Sequence, residues 1–337
     1  MEDLKKLRDE IDRIDEKIVG LFEERMKVSE SVAAYKRGVG KAVQDKKRED
    51  EKIAKVTELA TTEFNRQGIE SLYRHIMSIS RMLQYQRLAT ETTETFGFAP
   101  YIPDFSPATR VVYTGVPGAY AQQALEGYFG ESVESFHVQT FGDAVEAVNS
   151  GEADYGVLPI ENSSTGGVMD VYDLLEAYHN HIVGEYILKV EHALLALPGT
   201  KLEDIHTVYS HPQGLMQCGR FLDEHRDWHQ VSLQNTAEAA IKVRDDKDPG
   251  QAAIASMQAA KNFGLEVLKP CLNDIDNNST RFVIITHPRV FEQQADKISI
   301  CFELPHTSGT LYNNFAHFIF KGLNISKIES RPNKGKK

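Results

Sequence analysis

The stretch "LKKLRDEIDRIDEKIVGLFEERMKVSESVAAYK", residues 4–36, decides how the chain begins. Leu4, Ile11, Ile18 and Val32 recur on one seam at heptad spacing, and Leu7, Ile14, Leu21, Val28 and Tyr35 recur on another. Two apolar seams in one register predict a single long helix. At 1.5 Å per residue it spans about 50 Å, too long for a small monomeric bundle. The helix is therefore expected to pair with a second copy of the chain, making a homodimer. Further helical patterns run from about Asp45 to Phe64 and from about Ile69 to Leu88, and no strand-like alternation occurs before residue 96. The opening segment reads as an all-α domain.

Beyond it the texture changes. "TTETFGFAPYIPDFSP", residues 92–107, carries three prolines without helical period and reads as a linker, residues 92–108. Short β-branched runs such as "RVVYTG", "YGVLPI" and "RFVIIT" then alternate with amphipathic stretches, the rhythm of an α/β domain with a largely parallel sheet. From Lys297 a strand, a helix and a strand are expected. The chain is thus multidomain, divided as residues 1–91, 109–288 and 297–337.

Composition narrows the function. The 337 residues are 41% hydrophobic with no apolar run of membrane-spanning length, so no membrane partner is expected. The charged, non-apolar start excludes a secretory leader, and Cys218, Cys271 and Cys301 stand far apart. They read as buried hydrophobes of a cytoplasmic protein, neither a disulfide framework nor a metal site. A net charge of −11 argues against nucleic acid. Yet residues 1–92 hold 19 of the 38 basic side chains, as a site for an anion would require.

Polar residues occupy inward positions in the helices. Arg25 falls on the seam that Leu4, Ile11 and Ile18 define, where a guanidinium is costly unless paired. Either Glu49 pairs with it internally, or a ligand does. Arg8 and Lys36 flank the seam, Asp45, Arg48 and Glu49 share one face of the second helix, and Ser80 and Gln84 continue the stripe Ile69, Tyr73, Ile76. Arg25 and Lys36 lie about 16 Å apart along a helix and can converge on one ligand, but Arg8 and Arg25 lie about 25 Å apart and cannot meet within one chain.

These positions, with "QDKKREDE" and "ISRMLQYQ", resemble the all-helical chorismate mutases. The resemblance implies a pericyclic rearrangement of chorismate to prephenate that needs no nucleophile, metal or cofactor, only a held near-attack conformer and stabilised charge. It implies that Arg8 from a partner subunit, Arg25 and Arg48 bind carboxylates. Lys36 and Gln84 would donate to the ether oxygen, Glu49 would take the ring hydroxyl, and Asp45 and Ser80 would complete the pocket.

In the α/β part, "TGVPGAY" (114–120) is no dinucleotide fingerprint. "PIENSSTGG" (159–167), "SHPQGLMQC" (210–218) and "NNSTRF" (277–282) place small polar groups beside buried strands, as recognition of a polyoxygenated anion in a cleft would require. With "NTAEAA" (235–240), these motifs resemble the prephenate dehydratases from about Val111 to Phe282. That family implies two α/β subdomains with the site between them, similar to periplasmic binding proteins. Its reaction removes water and CO2 from prephenate to give phenylpyruvate. Thr280 matches the family's essential threonine. Asn162, Ser163, Ser210, Gln213, Thr236, Arg281 and Phe282 are the expected pocket residues, and His211 reads as either a site residue or a structural loop histidine. The two resemblances fit one another, since one domain makes what the other consumes, as in bifunctional bacterial enzymes of phenylalanine synthesis.

Residues 297–332 resemble the first half of an ACT domain, the α+β module that senses amino acids. "SGTLYNNF" and "ESRP" carry that likeness. They imply an L-phenylalanine effector site at Gly309, Leu311, Glu329, Ser330, Arg331 and Pro332, in a module cut short at Lys337. Two other readings compete. A non-catalytic amino-acid sensor need not keep Arg25, Lys36, Gln84 and Thr280, and a prephenate dehydrogenase needs the Gly-rich loop that is missing.

Overall fold

The computed structural model describes residues 4–89, 97–306 and 310–332. It divides into a helical unit, residues 1–96 with 302–337, and an α/β unit, residues 97–301.

The helical unit begins with α1 (Leu4–Gly38), α2 (Lys46–Thr57) and α3 (Glu63–Ala89). Asp45 caps α2, its Oδ1 accepting the Arg48 N–H at 3.0 Å. α2 stops short of the expected Phe64 because Thr62 starts the next helix, its Oγ1 accepting the Asn65 N–H at 3.2 Å. The buried apolar set is small: Ala33, Val43, Ile53, Val56 and Met77. By contrast, the seam residues Leu4, Ile11, Ile18, Leu21, Val28 and Tyr35 are all more than half exposed. A single copy leaves the heptad stripe of α1 uncovered.

The α/β unit opens with β1 (Ala99–Tyr101), β2 (Arg110–Thr114), α4 (Tyr120–Phe129), β3 (Glu134–Val138) and α5 (Phe141–Asn149). There follow β4 (Tyr155–Asn162), β5 (Gly166–Gly167), α6 (Met169–Ala177) and β6 (His181–Lys189). A second lobe holds β7 (Ala193–Ala196), β8 (Thr207–Ser210), α7 (Pro212–Gln217), α8 (Gly219–Asp223) and β9 (His229–Ser232). It continues through α9 (Thr236–Asp246), β10 (Gln251–Ala255), α10 (Met257–Phe263) and β11 (Glu266–Lys269). The chain then returns to the first lobe as β12 (Ser279–Thr286) and β13 (Val290–Glu292).

The first sheet has the order β3-β2-β4-β12-β6 and the second β11-β7-β10-β8-β9. Both are mixed, where the sequence predicts a largely parallel sheet. The reason is the excursion: β6 leaves toward the second lobe, so β12, coming back from it, runs antiparallel to β6 and also to β4. Each sheet is buried on both faces, hence the unbroken apolar runs. In β12, Phe282 and Ile284 face one core while Val283 and Ile285 face the other. Close packing sets glycines under tyrosines: a Cβ at Gly127 or Gly184 would overlap the hydroxyl of Tyr186 or Tyr128.

Three expectations change. The linker is partly docked: Ala99–Tyr101 pairs with Val290–Glu292, and Phe105 packs edge-on against Phe129 and Tyr155. Its aromatic residues anchor what its prolines suggested was free. Of the cysteines only Cys218 is buried, whereas Cys271 and Cys301 are exposed. Finally, of the expected C-terminal strand–helix–strand the described residues form only the helix, α11 (Thr310–Phe320), whose Tyr312 ring lies 5.9 Å from that of His75. "KISICFEL" and "LNISKIES" are irregular, with Ile298, Ile300 and Ile328 exposed. Neither finds a strand partner among the described residues, and an extended segment without a ladder does not hold strand form. No helix among the described residues is long and apolar enough to cross a membrane.

Candidate active sites

In the helical unit, α1 and α3 bring Arg25 to Ser80. The Arg25 Nη1 donates to Ser80 Oγ at 2.5 Å, and Nη2 lies 3.2 Å from Met77 Sδ. Ser29 Oγ sits 3.4 Å from Ser80 Oγ. Burial pulls the Arg25 pKa below its ordinary value, partly offset by the Tyr73 phenol, and among the described residues no carboxylate meets it. Glu49 is not the internal partner that the sequence allowed, because Arg81 takes it in an ion pair. Sequence reasoning missed Arg81, although it directly follows Ser80 on α3.

One turn further, Gln84 is 7% exposed, and its Oε1 is buried without a hydrogen-bond partner. Turned over, the amide offers a free NH2 at the same spot. Lys36 reaches across the α1–α2 turn to the Val43 carbonyl at 2.5 Å. Asp45 and Arg48 are exposed, the Asp45 carboxylate engaged in the α2 cap. Arg8 is exposed near the start of α1.

In the α/β unit, neighbouring antiparallel strands set Thr280 of β12 opposite Asn162 of β4. The Asn162 Nδ2 donates to Thr280 Oγ1 at 2.9 Å and to Asn278 Oδ1 at 3.0 Å, while its Oδ1 accepts Ser164 Oγ at 2.6 Å. With a lone pair of Thr280 occupied by an amide donor, its own proton is available to a ligand. Gln213 reaches the same loop, donating to Thr165 Oγ1 at 3.2 Å. Thr236 begins α9, half-buried behind the Asn235 cap.

Other expected pocket residues do structural work. Ser210 is fully buried and donates to the Ile254 carbonyl at 2.7 Å. Ser163 Oγ bridges two backbone groups, the Asn277 carbonyl at 3.2 Å and the Ser279 N–H at 2.9 Å. Phe282 is core. Arg281 follows Thr280 on a strand and so points to the opposite face, where it meets Glu161 at 3.1 Å and Glu185 at 3.4 Å. His211 caps α7, its Nδ1 accepting the Gln213 N–H at 3.1 Å, and burial lowers its pKa so that the acceptor form prevails. The "GVPGAY" loop serves the lobe contact: Gly118, at φ +88°, leaves room for Ala259, and its carbonyl accepts Ser256 Oγ at 3.0 Å.

Of the expected effector residues, Leu311 lies half-exposed on α11, and Glu329, Ser330, Arg331 and Pro332 lie exposed in irregular chain. Gly309 falls outside the described residues.

The chorismate mutase type II family matches residues 7–85, and the prephenate dehydratase family matches residues 111–290. A bifunctional chorismate mutase/prephenate dehydratase of Escherichia coli strain K12 is 31% identical over 332 residues, covering 97% of this chain and 84% of the relative. An Arabidopsis thaliana chloroplastic arogenate dehydratase/prephenate dehydratase is 40% identical over 66% of this chain and 57% of its own length. Among solved structures, the prephenate dehydratase of Arthrobacter aurescens in complex with L-Phe is similar at TM-score 0.59 and 28% identity, over 67% of this chain and 77% of that one. Arg25, Ser80 and Gln84 lie inside the first family match, Asn162 and Thr280 inside the second, and one relative carries both activities along nearly the whole length. The chain belongs to the bifunctional chorismate mutase/prephenate dehydratase family.

Proposed function

We propose that this chain performs two consecutive steps of phenylalanine biosynthesis, rearranging chorismate to prephenate in residues 1–91 and converting prephenate to phenylpyruvate in residues 109–288. The observation that carries the first step is the half-buried Arg25, bonded to Ser80 with no carboxylate against it among the described residues, together with the buried Gln84 one turn further along α3. A guanidinium held there without a counter-ion suits a dicarboxylate. Arg25 and Arg48 bind carboxylates, Lys36 and Gln84 stabilise charge on the breaking ether bond, and Glu49, steadied by Arg81, accepts the ring hydroxyl. Asp45 and Ser80 shape the pocket from the helix cap and from α3. Arg8 comes from a second copy, whose α1 also covers the exposed seam in a homodimer.

The second step rests on the Asn162–Thr280 hydrogen bond. In prephenate the bond from the ring to its carboxylate breaks, releasing CO2, and that electron pair aromatises the ring as the C–O bond opens. The departing hydroxide takes a hydrogen bond from Thr280, whose oxygen Asn162 polarises. Donation by a neutral threonine requires a preorganised, dry site. Gln213 and Thr236 frame the same pocket. The C-terminal segment around α11 is an ACT-related element, and L-phenylalanine is the effector that its resemblance implies.

Incubation of the purified protein with chorismate tests the whole reading. It predicts transient prephenate followed by phenylpyruvate, without added metal or cofactor. Chorismate left unchanged, or prephenate accumulating without phenylpyruvate, would remove the first or the second step.

A further inference from the structure

Two segments join the lobes of the α/β unit, residues 190–192 outward and 270–278 back, and they run side by side. The Val190 N–H donates to the Asn278 carbonyl at 2.9 Å and the Leu272 N–H to the His192 carbonyl at 2.8 Å. The His192 N–H donates to Asn273 Oδ1 at 2.7 Å. His192 therefore sits in the hinge, 3% exposed. Its ring touches both lobes. Nδ1 lies 2.9 Å from the Tyr120 hydroxyl of α4, and Nε2 lies 2.9 Å from Gln217 Oε1 of α7.

Gln217 is the link to the reacting threonine. Its Nε2 donates to Ser164 Oγ at 2.7 Å, and its Oε1 also accepts Asn278 Nδ2 at 3.1 Å. Ser164 and Asn278 both hold Asn162, which holds Thr280. Donor counting settles the histidine ring. The Gln217 NH2 is turned to Ser164, so the atom facing His192 is an acceptor and Nε2 must carry a proton. Burial favours the neutral ring, partly offset by the Gln217 bond, which leaves Nδ1 an acceptor that competes with the Glu191 carbonyl for the one Tyr120 proton. The Tyr120 hydroxyl also lies 2.9 Å from the Glu191 carbonyl.

We propose that His192 is a positioning residue of the dehydratase site: from the hinge, its Nε2–H fixes the Gln217 amide in the one orientation that completes the network around Asn162 and Thr280. Turned over, that amide would set its NH2 against the NH2 of Asn278 and lose its donor to Ser164. The proposal rests on the dehydratase reading of Thr280.

The contrast between H192Q and H192N tests it, with H192L as reference. Glutamine can place an N–H near the Nε2 position, whereas asparagine reaches only as far as Nδ1. On prephenate, H192L and H192N should lower kcat by about 10- to 100-fold with KM changed less than about threefold, as expected when a reacting group is misplaced. H192Q should recover to within about fivefold of wild type, one imperfect hydrogen bond short. Mutase turnover of the same preparations should be unchanged. Equal kcat for H192Q and H192N would overturn the proposal, as would a wild-type rate in H192L. If H192L fails to fold, the two polar variants still decide. A wild-type protein inactive on prephenate would instead defeat the dehydratase reading itself.

Discussion

The two candidate sites solve the recognition of anionic substrates in opposite ways. The proposed helical site is built from charge: Arg8, Arg25, Lys36, Arg48 and Glu49, on helices whose apolar seam lies open. The α/β site is built from neutral amides and hydroxyls, Asn162, Ser164, Gln217, Asn278 and Thr280, closed into one hydrogen-bonded network within a single chain. The difference follows the chemistry. A pericyclic step needs its substrate folded and charge stabilised, which point charges on rigid helices can do. Assisting a leaving hydroxide needs one aligned donor, and alignment is what a saturated network of neutral groups supplies.

The largest expected effects separate the two halves. R25A should lower mutase kcat/KM by about 10³-fold, the loss of a charge-assisted contact that stabilises the transition state, with conversion of added prephenate untouched. T280V should lower dehydratase kcat by about 10²- to 10³-fold with the mutase intact. Steady-state assays on chorismate and on prephenate read both, and loss of both activities in either variant would break the separation.

A smaller effect concerns stability. Burial alone would raise the Asp154 pKa, but the side-chain and backbone hydrogen bonds from Arg110 outweigh it, so the carboxylate titrates below its ordinary 3.8. A lowered folded-state value means stabilisation present above the unfolded pKa and lost as pH falls through the folded one. Because the two side chains are 39% and 42% exposed, solvent screens the pair and D154N should cost less than about 1 kcal/mol at pH 7. Variant and wild type should converge in thermal melts as the pH falls below 3.8 and through the lowered folded-state value. A difference that grows on acidification would contradict this assignment.

The helical site is more legible in the sequence than the α/β site, for a geometric reason. Along one helix, spacing is position, so the apolar period alone puts Arg25, Ser80 and Gln84 on inward faces. The cap at Thr62 is legible too, although the expected helix runs through it. In the α/β unit, the motifs mark the region but not the direction of side chains. Alternation along β12 alone excludes Arg281 from the face of Thr280, a constraint that the "NNSTRF" motif carries but does not announce. The meeting of Tyr120, His192 and Gln217 is beyond sequence reasoning, because three distant segments come together only once the hinge is formed. The mixed sheets are hidden likewise, since strand β12 returns after a whole lobe.

One measurement tests most directly that the first site is shared between copies while the second is self-contained. R8A and R25A chains, each inactive as mutase, are mixed, unfolded and refolded together, and assayed on chorismate. In a two-fold dimer each mixed pair regains one intact site, so recovery to about a quarter of the wild-type rate is expected. A parallel mixture of T280V and H192L should recover no dehydratase activity beyond the average of the two. Mutase activity that stays absent in the first mixture would contradict the account.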